Sequence, residues 1–217
     1  MKKYSGMFSL LLAAIFASAA FAANAQAKID SKAEAILTTM SKKYEDLKSY
    51  KANFDFATEG GKNIKGDVTV KGEKFRLKVA GQEIFNDAKM MATYVKETNE
   101  VNLQDYDPAE LGELNPTRIF TAYKKNYKYR FIKESKEGGQ TYETIELAPM
   151  TSYSKIATVR IKVNKADKAI KSWDILMSDG QHVYYTITSF QPNVNVTDSY
   201  FNFDAKKYPG VEVVDLR

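Results

Sequence analysis

The feature that most constrains the fold is an alternation of apolar and polar residues that recurs through most of the chain. It is clearest where Tyr50, Ala52, Phe54 and Phe56 alternate with polar neighbours. A period of two places the apolar side chains on one face of a β-strand. The pattern predicts about ten or eleven strands, centred on residues 50–56, 68–70, 75–79, 91–94, 101–103, 127–131, 142–147, 159–163, 170–177, 183–187 and, as an edge strand, the tail 201–213.

Three segments predict helices. Residues 31–34 read Ser-Lys-Ala-Glu and predict a capping box, in which Ser31 and Glu34 satisfy each other's backbone donors. An apolar stripe at spacings of three and four follows, formed by Ala33, Ile36, Leu37, Met40, Tyr44 and Leu47. The pairs Asp107-Pro108 and Asn115-Pro116 each place a capping residue before a proline, which predicts short helices over 108–111 and 116–123.

This count predicts a mainly β (α+β) fold with one strongly curved antiparallel sheet. A sheet of so many strands must curl, and three short helices can cover only part of its apolar face. A closed barrel filled by side chains and an incomplete barrel with an apolar pocket both satisfy the pattern. The 12 Phe, 14 Tyr and 7 Met residues favour the pocket, because aromatic and flexible apolar side chains adapt to ligands of variable shape.

The first 25 residues have the features of a secretory leader. Lys2 and Lys3 precede an uncharged run over 7–20, and Ala23-Asn24-Ala25 is a small-residue cleavage pattern, so we expect cleavage after Ala25. The run is shorter than the ~20 residues that span a bilayer. We expect residues 26–217 to form a single periplasmic domain. Because the chain has no Cys, we expect neither disulfides nor the cysteine-linked lipid of a bacterial lipoprotein.

Composition argues against several classes of function. The chain has one histidine, His182, and no Cys, so it has too few of the usual ligands for a zinc site and only one possible base for a histidine-based triad. Asp105, Asp107 and Glu110 lack the spacing of a calcium-binding loop. The net charge of +5 is scattered, which disfavours nucleic acid as a partner. We therefore expect a monomer without catalytic residues, metal or cofactor, with Trp173 as a core residue.

Five short segments carry a resemblance to a known family. They are Ser-Tyr-Lys-Ala-Asn-Phe at 49–54, Gly-Asp-Val-Thr-Val-Lys at 66–71 followed by Phe75, Asn-Asp-Ala-Lys at 86–89 followed by Tyr94, Ile-Glu-Leu-Ala-Pro at 145–149, and Phe201-Asn202-Phe203 with Pro209-Gly210-Val211. Together with the leader and the order of helices and strands, these segments resemble the LolA family of periplasmic outer-membrane lipoprotein carriers.

The resemblance implies an incomplete β-barrel, covered by helices, whose apolar cavity holds the acyl chains of a lipoprotein. It also implies loading by an inner-membrane lipoprotein-release transporter and delivery to an outer-membrane acceptor. A periplasmic lipid-binding or lipid-sensing module of the same fold is the alternative. Together, the resemblance and the alternation predict the residues of the cavity wall, which are Phe54, Phe56, Val68, Val70, Phe75, Leu77, Met91 and Tyr94.

The predicted lid comes from the three helices. Its residues are Ile36, Leu37, Met40, Leu111, Ile119 and Phe120. Many members of the family have an arginine after the strand lysine, and this arginine ties the lid shut by hydrogen bonds. Here Gly72 follows Lys71. We therefore expect the lid to be held mainly by apolar contacts.

Overall fold

The computed structural model describes residues 30–109, 115–121, 123–151 and 153–217. Within these residues twelve strands form one sheet. They are β1 (Ser49–Thr58), β2 (Ile64–Lys71), β3 (Lys74–Val79), β4 (Gln82–Asn86), β5 (Met90–Val95), β6 (Glu100–Asp105), β7 (Tyr127–Glu137), β8 (Gln140–Pro149), β9 (Ile156–Asn164), β10 (Ile170–Met177), β11 (His182–Pro192) and β12 (Glu212–Asp215).

The strands follow one another across the sheet in the order β12-β6-β5-β4-β3-β2-β1-β11-β10-β9-β8-β7. All neighbours are antiparallel except β12, which pairs with β6 in parallel. The sheet is curved, and it is open because β12 and β7 are edges. This confirms the predicted mainly β fold with an open barrel, whereas the twelfth strand and the parallel pair differ from the expected antiparallel sheet of ten or eleven strands. Among the described residues, no helix has the length and hydropathy needed to cross a membrane.

Strand β4 is the one that the alternation did not predict. Its consecutive apolar residues, Ile84 and Phe85, are packed on opposite faces of the sheet. Ile84 pairs with Leu77 and belongs to the apolar cluster on one face, whereas Phe85 contacts the chain's C-terminal segment on the other. A strand covered on both faces has no polar alternation, so its signature is lost.

The long helix α1 (Ser31–Glu45) begins one residue earlier than the predicted capping box. The N-cap is Asp30, whose Oδ1 accepts hydrogen bonds from the backbone N–H groups of Lys32 and Ala33 at 3.1 and 3.0 Å. The predicted cap at Ser31 is therefore wrong. Asp30 also accepts a hydrogen bond from the backbone N–H of Phe131 in the edge strand β7 at 2.7 Å. One carboxylate thus caps the helix and satisfies a backbone donor at the edge of the sheet. The apolar stripe is confirmed from Ala33 to Tyr44, with Ala33, Ile36, Leu37, Met40 and Tyr44 buried, whereas Leu47 lies beyond the end of the helix.

The prediction of two helices that begin at Pro108 and Pro116 is wrong in the described part of the chain. Residues 108–109 and 116–121 form turns, and the single helical turn α2 (Tyr123–Asn126) follows them. Successive three-residue turns link Asn115, Arg118, Thr121 and Lys124 at 2.9 to 3.0 Å. These backbone bonds span three residues instead of the four of an α-helix, and the carbonyls of Pro116 and Phe120 accept side-chain hydroxyls from Tyr50 and Ser41. Two 3₁₀ helices, Asp198–Phe201 and Ala205–Lys207, complete the helical elements described.

Apolar clusters lie on both faces of the sheet. We call the face that carries α1 the inner face. On it, one cluster joins α1 to β7–β10 and a second covers β1–β3. The outer face carries a third cluster, in which Phe85, Ala92 and Val101 lie beneath the C-terminal strap, residues 196–211. The strap crosses the outer face before β12, so only the end of the predicted tail strand is a strand.

Candidate functional site

An apolar cavity of about 350 Å³ lies between the inner face and residues 115–121, which we call the lid segment. Its lining is Tyr50, Ala52, Phe54, Phe56, Val68, Leu77, Val79, Ala80, Pro116, Ile119, Phe120, Trp173, Ile175, Tyr185 and Ile187. Ala80 is the one exposed residue of this set and marks the rim. None of these side chains carries a charge at neutral pH, so the site suits an apolar ligand.

Strand register explains why residues distant in sequence meet here. Val68 pairs with Leu77 between β2 and β3, and Phe56 pairs with Tyr185 between β1 and β11. Tyr185 is in turn opposite Trp173 of β10. Directly paired residues project to the same face of a sheet, so five strands contribute to one wall.

A glycine makes room for one wall residue. Gly66 is opposite Phe54, and a Cβ at position 66 would lie 2.4 Å from Cζ of the Phe54 ring. The ring therefore rests directly on the β2 backbone. No other residue type fits here without moving the ring.

The predicted wall residues fall into three groups. Phe54, Phe56, Val68 and Leu77 line the cavity. Val70, Phe75 and Met91 face the same side but lie outside the lining, within the cluster on β1–β3. Phe75 is 1% exposed and its ring meets Tyr106 edge to face.

Tyr94 is on the opposite face, so the expectation that it shares the cavity surface is wrong. Its ring packs against Tyr208 and Phe203 of the strap, and its hydroxyl donates to Asn99 Oδ1 at 3.0 Å. In β5 the inner face is occupied by Met91 and Thr93, because these residues pair with Asn86 and Ile84.

The predicted lid residues are likewise divided. Ile119 and Phe120 line the cavity from above. Ile36, Leu37 and Met40 do not reach it, because they fill the core between α1 and β7–β10. Leu111 lies outside the described residues. The structure thus assigns the roof to the lid segment, and α1 closes the adjacent half of the sheet.

Two hydroxyl groups hold the lid segment. Tyr50 Oη donates to the carbonyl oxygen of Pro116 at 2.8 Å, and Ser41 Oγ donates to that of Phe120 at 2.7 Å. The lid thus has two hydrogen bonds from hydroxyl groups in addition to the apolar contacts expected from Gly72, and neither donor is a basic side chain. Arg118 of the lid also approaches Glu73 at 3.4 Å, but both side chains are more than half exposed and the pair contributes little.

An aromatic cluster surrounds the latch. The Phe120 ring stacks on Tyr44 with centroids 3.9 Å apart, and it lies 5.6 Å from Tyr50 and 6.1 Å from Trp173. Burial raises the pKa of Tyr50, and burial raises the pKa of Tyr44 to about 12. Both hydroxyls are therefore protonated at neutral pH, and that of Tyr44 accepts the N–H of Ile170 at 2.8 Å. Trp173, expected in the core, is buried and also lines the cavity.

Several lining residues were not predicted as site residues. Trp173, Ile175, Tyr185 and Ile187 come from β10 and β11. Their alternation is visible in the sequence, but the pairing of β1 with β11 across more than a hundred residues is not. Within the described ranges no group of three His, Cys, Asp or Glu residues could hold a metal ion. His182 lies near Asp174, at 3.4 Å, and does not line the cavity.

The curved open sheet and its uncharged, lidded cavity define a class of protein, the open barrels that have an apolar internal site. Residues 45–204 match the family described as outer membrane lipoprotein carrier protein LolA. The chain belongs to the LolA family. Among curated proteins, none matches it in sequence.

Solved structures share the fold at low sequence identity. An uncharacterized conserved protein from Thermus thermophilus has a TM-score of 0.57 at 13% identity, over 85% of this chain and 99% of that one. A DUF1329 family protein from Desulfovibrio piger has a TM-score of 0.50 at 10% identity, over 82% and 98%. MucB also reaches 0.50, at 14% identity, over 81% of this chain and 64% of its own length. These similarities concern the fold alone.

Proposed function

We propose that this protein is a periplasmic carrier that binds the acyl chains of lipoproteins in its cavity and delivers them to the outer membrane. The observation that carries the proposal is the uncharged lining of the cavity of about 350 Å³ under the lid segment. Each methylene buried there contributes about 0.8 kcal/mol, so a chain of about ten methylenes would contribute about 8 kcal/mol before the costs of binding. Membership of the LolA family supports the choice of lipoprotein as cargo.

Lid movement is part of this proposal. The cavity is at the small end of ligand sites, which measure about 300–1,000 Å³. A lipoprotein with several acyl chains needs more room. The lid segment is built from turns and anchored by two hydroxyl hydrogen bonds, so it can move without unfolding a helix. Opening it would enlarge the cavity and admit the chains.

The path through the periplasm is proposed by analogy with the family. The leader at 1–25 would be removed, leaving residues 26–217 as one domain. An inner-membrane lipoprotein-release transporter would load the cavity, and an outer-membrane acceptor would empty it. N-terminal sequencing of periplasmic material should then find Gln26 first.

The test introduces a charge inside the cavity. Ile187→Glu places a carboxylate in the lining, and Ile132→Glu places the same substitution on the exposed edge strand β7. A carboxylate is costly to desolvate against an acyl chain, so Ile187→Glu should weaken binding of a triacylated lipopeptide by at least about tenfold. Ile132→Glu should bind as the parent does, and thermal unfolding should show both variants folded.

Cargo identity is settled by mass spectrometry of what co-purifies from the periplasm. Triacylated protein is the expected result. Bare phospholipid would instead support a lipid-binding or lipid-sensing module of the same fold. Equal lipopeptide binding by both Ile variants and the parent would contradict the cavity as the site.

A further inference from the structure

A second depression crosses the outer face of the sheet. We call it the polar groove; its volume is about 740 Å³. Its lining comes from strands β1–β5 and β11 and from the turn that joins β3 to β4. Its length follows from the strands involved, since it runs from Thr188 in β11 across β1–β5 to Lys96.

The groove has the dimensions of an extended peptide. It crosses six neighbouring strands, and strands in a sheet are about 4.8 Å apart, so its length is about 24 Å. An extended chain advances about 3.3–3.6 Å per residue, so about seven residues would fill the groove.

The chemistry of the lining also favours a polypeptide. The lining contains three lysines, Lys65, Lys78 and Lys96, and three carboxylates, Asp55, Asp67 and Glu83, so its charges balance. Lys78 and Glu83 form an ion pair at 3.0 Å, and Asn53 and Thr188 add uncharged polar groups. A peptide presents alternating N–H donors and C=O acceptors, and a lining with both kinds of partner suits it. An anionic headgroup would call for an excess of cations, which this lining lacks.

The groove adjoins the apolar cavity. Phe54, Val79 and Ala80 line both depressions, although the depressions open on opposite faces of the sheet. They therefore meet at the end of β3, beside the exposed rim residue Ala80. A polar chain attached to an acyl group in the cavity would emerge at this rim, at the entrance of the groove.

We propose that the polar groove holds the polypeptide segment that follows the acylated residue of a lipoprotein, while the acyl chains occupy the cavity. The proposal rests on the proposed carrier function and adds to it a subsite for the protein part of the cargo. It explains how a carrier of this kind distinguishes a lipoprotein from a free lipid with the same acyl chains.

The test compares three probes on the mature full chain: a triacylated cysteine amide, the same cysteine followed by an eight-residue peptide of Ser, Asn and Gly, and a phospholipid with the same acyl chains. A few net hydrogen bonds should give the longer lipopeptide about tenfold higher affinity than the amide. Asp67 lies in β2, near the middle of the groove, and its pairing with Asn53 and Lys78 places it on the outer face, away from the cavity lining. Asp67→Trp should therefore fill the groove and abolish this advantage, leaving the affinity for the amide unchanged. Gln191→Trp, an exposed position on β11 outside the groove, should preserve it.

Equal affinity of the parent protein for the amide and the longer lipopeptide would overturn the proposal. So would an advantage of the longer lipopeptide that survives Asp67→Trp. If Asp67→Trp weakens the phospholipid as much as the lipopeptide, the groove takes a headgroup and the peptide assignment fails. A protein that binds none of the three probes would overturn the carrier function itself, and the groove assignment with it.

Discussion

The Tyr50 hydroxyl donates a 2.8 Å hydrogen bond to the carbonyl oxygen of Pro116, and this bond joins the wall of the cavity to its lid. Tyr50 is buried in the second strand position of β1, and Pro116 lies in the lid segment, 66 residues away. Both residues line the cavity, Tyr50 from the wall and Pro116 from the roof. One hydroxyl thus fastens the roof to the wall.

Removing this hydroxyl should loosen the lid. Tyr50→Phe keeps the ring, and leaves the Pro116 carbonyl without its partner at a cost of about 1 kcal/mol. Stopped-flow measurements with a fluorescent acyl probe should show faster uptake and release, with only a small drop in melting temperature. Tyr184→Phe, an exposed tyrosine on the same sheet, is the control and should leave the rates unchanged. Unaltered kinetics in Tyr50→Phe would show that the hydrogen bond does not limit lid opening.

Phe75 and Leu77 share a face of β3 but differ in surroundings, and glutamate at each should have different effects. Phe75 is 1% exposed in a packed cluster, so Phe75→Glu should unfold the protein, with a loss of about 3–5 kcal/mol or more. Leu77 lines the cavity, where water can solvate a carboxylate when the site is empty, so Leu77→Glu should remain folded and lose acyl-probe binding. The same melting temperature for both variants would contradict this division.

Two titrating groups should fasten the C-terminal strap over a limited pH range. Tyr208 Oη donates to Glu83 Oε2 at 2.8 Å. Burial alone would raise the pKa of Glu83, but its hydrogen-bond donors, Lys78, Tyr208 and Arg76, hold that pKa below the ordinary 4.5. Burial, with the Glu83 carboxylate, raises the pKa of Tyr208 to about 12.

The signs of these shifts define the pH range. The contribution of Glu83 is complete above pH 4.5 and is lost as pH falls through its lower folded-state pKa. The contribution of Tyr208 is complete below pH 10 and is lost between pH 10 and about 12. Melting temperatures across pH should therefore fall less steeply in acid for Glu83→Gln, and less steeply in alkali for Tyr208→Phe, than for the parent. Tyr44 and Tyr50 share the alkaline loss, so the difference from the parent is the informative quantity. Curves parallel to the parent's would contradict this pairing.

Gly66 should be intolerant of any side chain. A Cβ would lie 2.4 Å from the Phe54 ring and 2.9 Å from the Lys78 carbonyl oxygen. Gly66→Ala must then displace the ring into the cavity, at a cost of about 1–3 kcal/mol. Thermal unfolding should show the loss and titration with the acyl probe a weaker affinity. Phe54→Leu in the same background should restore part of both, because the smaller side chain relieves the contact.

Local patterns in the sequence predicted the secondary structure well where one face of an element meets water. The stripe on α1 and the alternation on β1 are both confirmed, since each depends only on the periodicity of a single element. β4 was missed for the opposite reason. The strap covers its outer face, so Ile84 and Phe85 are both apolar and the period of two is broken.

Pairing across the chain accounts for what the sequence did not predict in the site. Tyr94 is three residues after Met91, and only the pairing of β5 with β4 decides which of them faces inward. The lid turns resembled helix starts, because Asn115-Pro116 is a good N-terminus; the hydroxyls of Tyr50 and Ser41 were not foreseeable from that segment.

The sequence by itself determined the class of fold, the core face of strands with a clear alternation such as β1, and four of the residues that line the cavity wall. These follow from side-chain periodicity, which is a local property of the backbone. The tertiary structure alone decided that β11 pairs with β1, that Phe75 is packed while Leu77 borders a cavity, and that hydroxyls hold the lid. Such contacts join segments tens to more than a hundred residues apart, and their geometry depends on how the whole sheet curves.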